Sequence, residues 1–171
     1  MRPSGAARSP MAWLMLSGIV LVVDQLTKIW ATRALDYADP VAILPIFNLR
    51  LLHNTGAAFS FLADAGGWQR WLFAALAVII TAALVLWMAR LRREERWTSA
   101  GLALVIGGAL GNLIDRLLYG HVVDFLDFHV GGHHWPAFNI ADAAITIGVG
   151  ILIYTSIRPE VPAPRDSEEH R

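Results

Sequence analysis

Several acidic side chains interrupt stretches of sequence that are otherwise apolar, and these are the residues that could do chemistry. Asp142 opens a long apolar run and has no basic residue within one helical turn, and Asp124 and Asp127 lie in the segment before it. A charge in or at the edge of a bilayer costs from about 2.5 kcal/mol upward, so it needs a partner or a function. Two converging carboxylates would suit hydrolysis of an amide, because an ionised one can take a proton from water while a protonated one polarises the carbonyl.

The spacing of Asp124 and Asp127 does not decide which of them accompanies Asp142. Three residues apart, they fall on opposite faces of a strand, so at most one is expected to face the same pocket as Asp142. The chain has no cysteine, which excludes a cysteine nucleophile, a thiolate metal site and a disulfide framework. No serine stands in a Gly-x-Ser-x-Gly context either.

Other polar residues fall at helical spacings. Asp24 and Lys28 are an i,i+4 pair, for which we predict mutual neutralisation that ties the first helix to its neighbours. Asn112, Asp115 and Arg116 follow at i, i+3 and i+4, which places an amide, a carboxylate and a guanidinium on one face. The spacing leaves open whether Arg116 pairs with Asp115 or binds a substrate carbonyl or lipid headgroup.

A group of histidines could suggest zinc. His121, His129, His133 and His134 match no helical two-histidine motif, and Gly131-Gly132 beside the last two is typical of a turn. We therefore expect neither a metal nor another cofactor.

The elements that must position these groups are membrane-spanning helices. The chain has 171 residues, 56% apolar and only 16% charged, whereas a soluble domain carries about a quarter charged residues. A helix needs about 20 mostly apolar residues to cross a bilayer. Gly107 and Gly111 form a small-xxx-small ridge that predicts close helix packing. The sequence thus predicts a single, mostly α-helical membrane domain over residues 1–171, with spans at about 11–31, 70–89, 97–116 and 138–157.

The distribution of charge predicts the orientation of these spans. The net charge is zero, which gives no basis for a nucleic-acid partner. Cytosolic ends of spans are enriched in Lys and Arg, and one side carries Arg2, Arg8, Arg90, Arg92, Arg93, Arg96, Arg158, Arg165 and Arg171. We expect both termini to be cytosolic, with a net charge of about +3 on that side and about −3 on the other.

The two ends of the chain carry further expectations. A removable signal peptide is the alternative for the N-terminus, but the apolar stretch continues into Asp24 and Lys28 without an evident small-x-small cleavage site. Residues 159–171 are rich in proline and charge, so we predict a disordered, dispensable tail.

The two connections on the other side are too apolar for ordinary loops. Residues 43–52 and 121–129 are predicted strands, because Phe47, Leu49 and Leu51 alternate with polar residues in the first and the second has a similar composition. We infer a small sheet at the outer interface, anchored at headgroup level by Trp68, Trp71 and Trp135. A re-entrant helix over residues 54–62 is the competing possibility.

Five sequence blocks, taken together, carry a resemblance. The chain resembles the signal peptidase II family, the lipoprotein signal peptidases, in blocks that occur in the family's order and span nearly the whole chain. They are Asp24-Gln25-Leu26-Thr27-Lys28, Asn54-Thr55-Gly56-Ala57-Ala58-Phe59-Ser60, Gly107 to Arg116, Val122-Val123-Asp124-Phe125 and Phe138-Asn139-Ile140-Ala141-Asp142. The resemblance implies four transmembrane helices with a β-cradle and a short outer helix. It also implies that Asp124 and Asp142 form a catalytic dyad, which selects Asp124 over Asp127.

The resemblance further implies a reaction, a place and a set of partners. The reaction is hydrolysis of a prolipoprotein signal peptide immediately before a diacylglyceryl-modified cysteine, by an aspartyl endopeptidase of the bacterial inner membrane whose active site faces the periplasm. The expected partners are the prolipoprotein, membrane lipid and the inhibitor globomycin, and a monomer is expected. Positions that match the family's substrate and inhibitor contacts are Asn54, Gly56, Asn112, Arg116 and Asn139, with Asp24, Lys28 and Asp115 as polar support.

Two other functions compete with this one. A small transporter or channel subunit could use Asp24, Lys28, Asp115, Arg116 and Asp142 as an ion or proton relay. A relay needs polar groups near the bilayer midplane or on both sides, whereas these five are all predicted toward the outer ends of the spans. An intramembrane protease for ordinary helical substrates would share the dyad but not the five blocks.

Overall fold

Four long helices and a small sheet make up the computed structural model, which describes residues 9–56 and 67–157. A 3-10 turn, Pro10–Trp13, leads into α1 (Leu14–Ala34); β1 (Val41–Leu44) and β2 (Phe47–Asn54) follow, then α2 (Gln69–Arg90), α3 (Arg96–Tyr119), β3 (Val122–Val130), β4 (His133–His134) and α4 (Ile140–Ile157). All four helices are long and apolar enough to cross a membrane. The prediction of four long apolar helices is confirmed, with ends that differ by a few residues from the expected spans. Residues 159–171 lie outside the described part.

The third helix is the centre of the bundle, because small residues on two of its sides let α1 and α4 approach closely. A Cβ added at Gly107 would lie 2.7 Å from the Ser17 carbonyl oxygen of α1, and one added at Gly108 would meet the Ala141 carbonyl of α4. Gly111 also lies against α1. The close packing predicted from Gly107 and Gly111 is confirmed, and it brings the polar residues of three helices together.

The apolar core lies between α2 and α3, where Met88, Leu102, Ala103 and Ile106 are almost fully buried. Large apolar side chains also cover the outer surface of the bundle, as a surface facing lipid requires. Trp68, Trp71 and Trp135 are each more than half exposed; their role as headgroup anchors stays a prediction.

The four strands form one antiparallel sheet in the order β1-β2-β3-β4. The predicted strand 43–52 is wrong as a single element, because the chain turns between β1 and β2. The predicted strand 121–129 is confirmed as β3. The described part of 54–62 is the end of β2 and an irregular turn; residues 57–62, and any short helix there, lie outside the described residues.

The burial pattern of β2 also differs from strict alternation. Asn48 and Leu51 are its buried residues, at 7% and 5% exposure. The register against β3 shifts between Leu49 and Leu52, and such a bulge changes which side chains point inward. Asn48 is buried because its amide donates to the carboxylate of Asp127, 3.2 Å away.

The sheet places β3 beside the start of α4. Helix α3 ends at Tyr119 and is capped by Gly120, whose φ of 80° lies in the left-handed region that favours glycine. β3 follows directly, and Leu126 and Phe138 exchange backbone hydrogen bonds, which fix β3 against the segment that enters α4. Asp124 is thereby brought beside the first turn of α4.

Candidate active site

A cavity of about 1060 Å³ opens between the sheet, the C-terminal end of α3 and the N-terminal end of α4. Six of the seven residues expected for catalysis or substrate contact line it: Asn54, Gly56, Asn112, Arg116, Asp124 and Asp142. They come from four separate stretches of sequence, so the fold collects them at one end of the helix bundle.

Asp124 is more deeply buried than Asp142, with 2% of its surface exposed. Its Oδ1 accepts a hydrogen bond from Asn139 Nδ2 at 2.7 Å, and its Oδ2 accepts one from Asn54 Nδ2 at 3.2 Å. Burial and the nearby charge of Asp142 raise the pKa of Asp124 to about 7, although the two amides and Lys28 act in the opposite direction. This carboxyl group can therefore hold or release a proton near neutral pH.

Asp142 lies in the first turn of α4 and is held by Asn112 and Asn139. Its Oδ1 accepts from Asn112 Nδ2 at 2.7 Å, and its backbone N–H donates to Asn139 Oδ1 at 2.9 Å, so Asn139 acts as an N-cap for the helix. Asn139 Nδ2 also donates to Asn112 Oδ1, at 3.3 Å. The two amides are thus joined, and each holds one of the two carboxylates through a short hydrogen bond.

Lys28 fixes the orientation of one of these amides. Its Nζ lies 2.9 Å from an oxygen of Asp24 and 2.9 Å from one of Asp115, and it donates to Asn112 Oδ1 at 3.0 Å. The predicted Asp24–Lys28 pair is confirmed, and Asp115 is its third member. Because Asn112 Oδ1 accepts from Lys28, the amide nitrogen of Asn112 must turn toward Asp142.

Each acid of this cluster also holds the backbone next to one acid of the cavity. Asp24 Oδ1 accepts from the N–H of Ala141, at 2.9 Å, and Asp115 Oδ2 accepts from the N–H of Val123, at 3.1 Å. Ala141 and Val123 immediately precede Asp142 and Asp124. The buried cluster therefore positions both carboxylates of the cavity through the main chain.

Gln25 is a member of this cluster that the sequence analysis missed. Its Nε2 donates to Asp115 at 3.0 Å and to Asp24 and the Gly111 carbonyl at 3.2 Å each. The signal was available, since Gln25 stands inside the Asp24–Lys28 block, but helical spacing alone did not show that it turns toward α3.

Arg116 does not pair with Asp115, so that alternative is wrong. Asp115 is occupied by Lys28, Gln25 and the Val123 N–H. The guanidinium of Arg116 instead donates to the carbonyl of Gly56, at 3.3 Å, and lies over the ring of Phe73, 5.3 Å from its centroid. It lines the cavity, where a substrate carbonyl could reach it.

Asp127 departs from the expectation that only one strand acid could share a cavity with Asp142. Asp124 and Asp127 both line it, because the cavity is large and extends along the sheet to the β3–β4 hairpin. The bonded partners still differ: Asp127 binds Asn48 and His134, whereas Asp124 binds Asn54 and Asn139.

The histidines are distributed among ring contacts. His53 stacks on His121 with centroids 4.0 Å apart, and His129 stacks on His134 at 5.0 Å. Burial lowers the pKa of His53 and His121. Within residues 9–56 and 67–157, no three or more His, Cys, Asp or Glu side chains are grouped so that they could hold a metal ion.

Comparison with known proteins gives consistent matches. The family model described as signal peptidase (SPase) II matches residues 16–158. The lipoprotein signal peptidase of Paraburkholderia phymatum is 53% identical over 157 residues, which cover 92% of this chain and 93% of that protein. The lipoprotein signal peptidase of Burkholderia mallei is 54% identical with the same coverage.

Solved structures agree with the sequence matches. One, described as a bacterial membrane enzyme at 2.3 Å resolution, superposes with a TM-score of 0.78 at 30% identity and covers 94% of each chain. A second, at 1.9 Å resolution, gives a TM-score of 0.75 at 32% identity over 86% of this chain and 93% of that one. The chain therefore belongs to the signal peptidase II family, the lipoprotein signal peptidases.

Proposed function

We propose that this chain is an aspartyl endopeptidase that removes the signal peptide of prolipoproteins by cleaving before a diacylglyceryl-modified cysteine, with Asp124 and Asp142 as the catalytic dyad. The observation that carries the proposal is the arrangement of these two acids in one cavity, held by the joined amides of Asn112 and Asn139. No other pair of carboxylates in the described residues shares such a bridge and also faces an open cavity.

The chemistry follows from the protonation of the pair. With its pKa raised to about 7, Asp124 can carry the proton that the dyad shares at neutral pH. In that state Asp124 donates a hydrogen bond to the scissile carbonyl, and the carboxylate of Asp142 takes a proton from the attacking water. The tetrahedral intermediate then collapses as a proton passes to the leaving nitrogen. Arg116, with its guanidinium in the cavity, orients the substrate backbone beside Asn54 and Gly56.

The position of the cavity suits a lipid-modified substrate. It lies at the end of the bundle, bordered by Ala143, Ile145 and Ile147 of α4 and by the polar strands. Acyl chains that remain in one leaflet would bring the scissile bond to this boundary, where water is available. The apolar part of the cavity would then receive the diacylglyceryl group, and an inhibitor such as globomycin would compete for the same space.

The orientation rests on charge. Basic residues are concentrated before α1, between α2 and α3, and after α4, and cytosolic ends of spans are enriched in Lys and Arg. We therefore place both termini in the cytosol of a bacterial inner-membrane protein, with the sheet and cavity at the periplasmic surface. The charged residues that a transporter or channel subunit would use as an ion relay form one cluster at this end of the bundle. This arrangement favours a hydrolytic site over a transmembrane ion path.

The decisive experiment is cleavage of a diacylated prolipoprotein by the purified full-length protein, followed by gel shift, with and without globomycin. We expect cleavage that globomycin inhibits. Asp124→Asn and Asp142→Asn should each abolish turnover and keep the fold, whereas the exposed Asp39 provides a matched control, and Asp39→Asn should cleave at the normal rate.

Two outcomes would overturn the proposal. Retained turnover by either Asn variant of the dyad would show that the assigned acids do not perform the chemistry. Equal cleavage of precursors with and without the diacylglyceryl group would instead indicate a protease for ordinary helical substrates, with no dependence on lipid.

A further inference from the structure

The cavity has a second polar end, formed by the β3–β4 hairpin and β2, that the proposed catalytic chemistry does not use. Arg50, Asp127 and His134 line this end. Asp127 is 2% exposed, whereas the side chain of His134 is 42% exposed. A buried carboxylate that holds a partly exposed imidazole at a cavity wall is an arrangement that leaves the ring available to a ligand.

Asp127 fixes the position of the His134 ring. Both carboxylate oxygens of Asp127 lie within hydrogen-bond distance of His134 Nδ1, at 2.8 and 3.0 Å. Asn48 Nδ2 donates to the same carboxylate at 3.2 Å, and the ring of His129 stacks on that of His134 with centroids 5.0 Å apart. Because Nδ1 is bound to Asp127, only Nε2 of His134 remains for an incoming group.

Arg50 supplies a positive charge at the same end. Its Nε donates to the carbonyl of Ala38 at 3.0 Å, and Ala38 donates its N–H to the Leu51 carbonyl at 2.9 Å. Ala38 has a φ of 62°, a conformation that residues with a Cβ adopt only when their surroundings hold them there. In the described part of the chain no carboxylate lies within ion-pair distance of Arg50.

The substrate of the proposed function indicates which group would reach this end. If the diacylglyceryl group lies against Ala143 and Ile145 of α4, the signal peptide continues into the bilayer with its own apolar segment. The chain that follows the cleaved bond must leave in the opposite direction, across the sheet. We propose that Arg50 and His134 form a subsite for the first residues of the mature lipoprotein and favour an acidic side chain there.

This inference rests on the proposed function, and it assigns a specificity that the dyad does not supply. The charge of Asp127 is engaged by Asn48 and His134, so the charge offered to a ligand is that of Arg50, and a carboxylate can pair with it. A basic side chain at the same place would be repelled. Because Arg50 is only half buried, the discrimination should be modest and should weaken as salt is added.

The test uses three diacylated precursors that differ only at the residue two positions after the modified cysteine, which is Asp, Asn or Lys. With the unmodified enzyme we expect kcat/KM for the Asp precursor to exceed that for the Lys precursor about fivefold. Arg50→Gln should reduce this ratio to about one while cleavage of the Asn precursor continues. His134→Gln should lower it partially, through KM and with little change in kcat.

A matched control is available in Arg33, an exposed residue in the last turn of α1 that does not line the cavity. Arg33→Gln should keep the full preference for the Asp precursor. Cleavage of all three precursors at equal rates by the unmodified enzyme would overturn the subsite and leave the proposed function intact. Cleavage of none would overturn the proposed function itself. A uniform loss across the three precursors in Arg50→Gln would also refute selective recognition of an acidic side chain.

Discussion

Gly111 packs directly against Asp24 of the buried charge cluster, and an alanine at this position tests what the cluster contributes. A Cβ at residue 111 would overlap Asp24 Oδ2 and would also lie 3.4 Å from the Cβ of Ala141. Asp24 is fully buried, and it is held by Lys28 and by the Ala141 N–H at 2.9 Å each. The carboxylate cannot move without losing one of these partners.

The expected cost follows from the loss of a buried ion pair. Separation of such a pair leaves uncompensated charge and costs about 3–5 kcal/mol. An alanine in place of glycine in a helix interior contributes about 1 kcal/mol in the opposite direction. We therefore expect Gly111→Ala to lower the free energy of unfolding by about 2–4 kcal/mol. The proposed activity should fall as well, because Asp24 positions the backbone that precedes Asp142.

A matched control separates the overlap from the substitution itself. Gly18 lies in α1 with no heavy atom within 4 Å of an added Cβ, so Gly18→Ala should be neutral or slightly stabilising. The measurement is equilibrium unfolding of the purified protein in detergent, monitored by circular dichroism, together with the cleavage assay. If Gly111→Ala is as stable as Gly18→Ala, the tight contact with Asp24 does not hold the cluster together, and the argument is refuted.

Three further changes test the site. Burial raises the pKa of Asp124 from its ordinary 3.8 to about 7, so between these values the folded state keeps a proton that the unfolded chain releases. The free energy of unfolding should therefore fall by up to about 4 kcal/mol as the pH rises from about 4 to 7. If the free energy of unfolding of Asp124→Asn depends on pH as steeply as that of the unmodified protein, this reasoning is wrong. Lys28→Met leaves the charges of Asp24 and Asp115 buried without a cation and should lower the free energy of unfolding by about 3–5 kcal/mol. Adding Asp24→Asn to this variant should recover part of that loss. If the two substitutions change the free energy of unfolding by strictly additive amounts, the ion cluster does not act as a unit. Arg116→Lys keeps the charge but loses the planar donor geometry, so kcat/KM should fall about tenfold with stability nearly unchanged; equal activity would exclude orientation of the substrate by the guanidinium.

The elements set by simple periodic rules could be predicted from the sequence. The four helices follow from the lengths of apolar runs, because the thickness of a bilayer fixes the length that is needed. The pair Asp24–Lys28 follows from helical spacing, since residues four apart share a face. Gly107 and Gly111 predicted close packing, and they do lie against α1.

Contacts between helices could not be predicted in this way. Helical spacing placed Asp115 on a face with Asn112, but it does not say which helix that face meets. The partner of Asp115 is Lys28, far away in sequence, and this pairing is what directs Arg116 toward the cavity instead. The assignment of Asp124 and Asp142 as a dyad likewise came from the resemblance to a family, since strand periodicity left Asp127 equally possible.

One contact was within reach of sequence reasoning and was missed. If Gly131-Gly132 is a two-residue hairpin turn, His134 stands opposite His129, as the structure has it. Residues 127 and 129 share a strand face, so Asp127 becomes a diagonal neighbour of His134. The Asp127–His134 pair was therefore implied by the turn alone.

The tight packing and the proposed catalytic site of this protein depend on the same helix. Because Gly111 has no side chain, α1 comes close enough to α3 for Lys28 to reach Asn112 Oδ1. That contact turns the amide nitrogen of Asn112 toward Asp142. A change that moves α1 away from α3 by a fraction of an ångström would first lengthen these hydrogen bonds and release the amide, well before the apolar packing fails. Variants with larger residues along this helix contact should therefore lose activity while they remain folded, and the order of the two losses follows from the geometry.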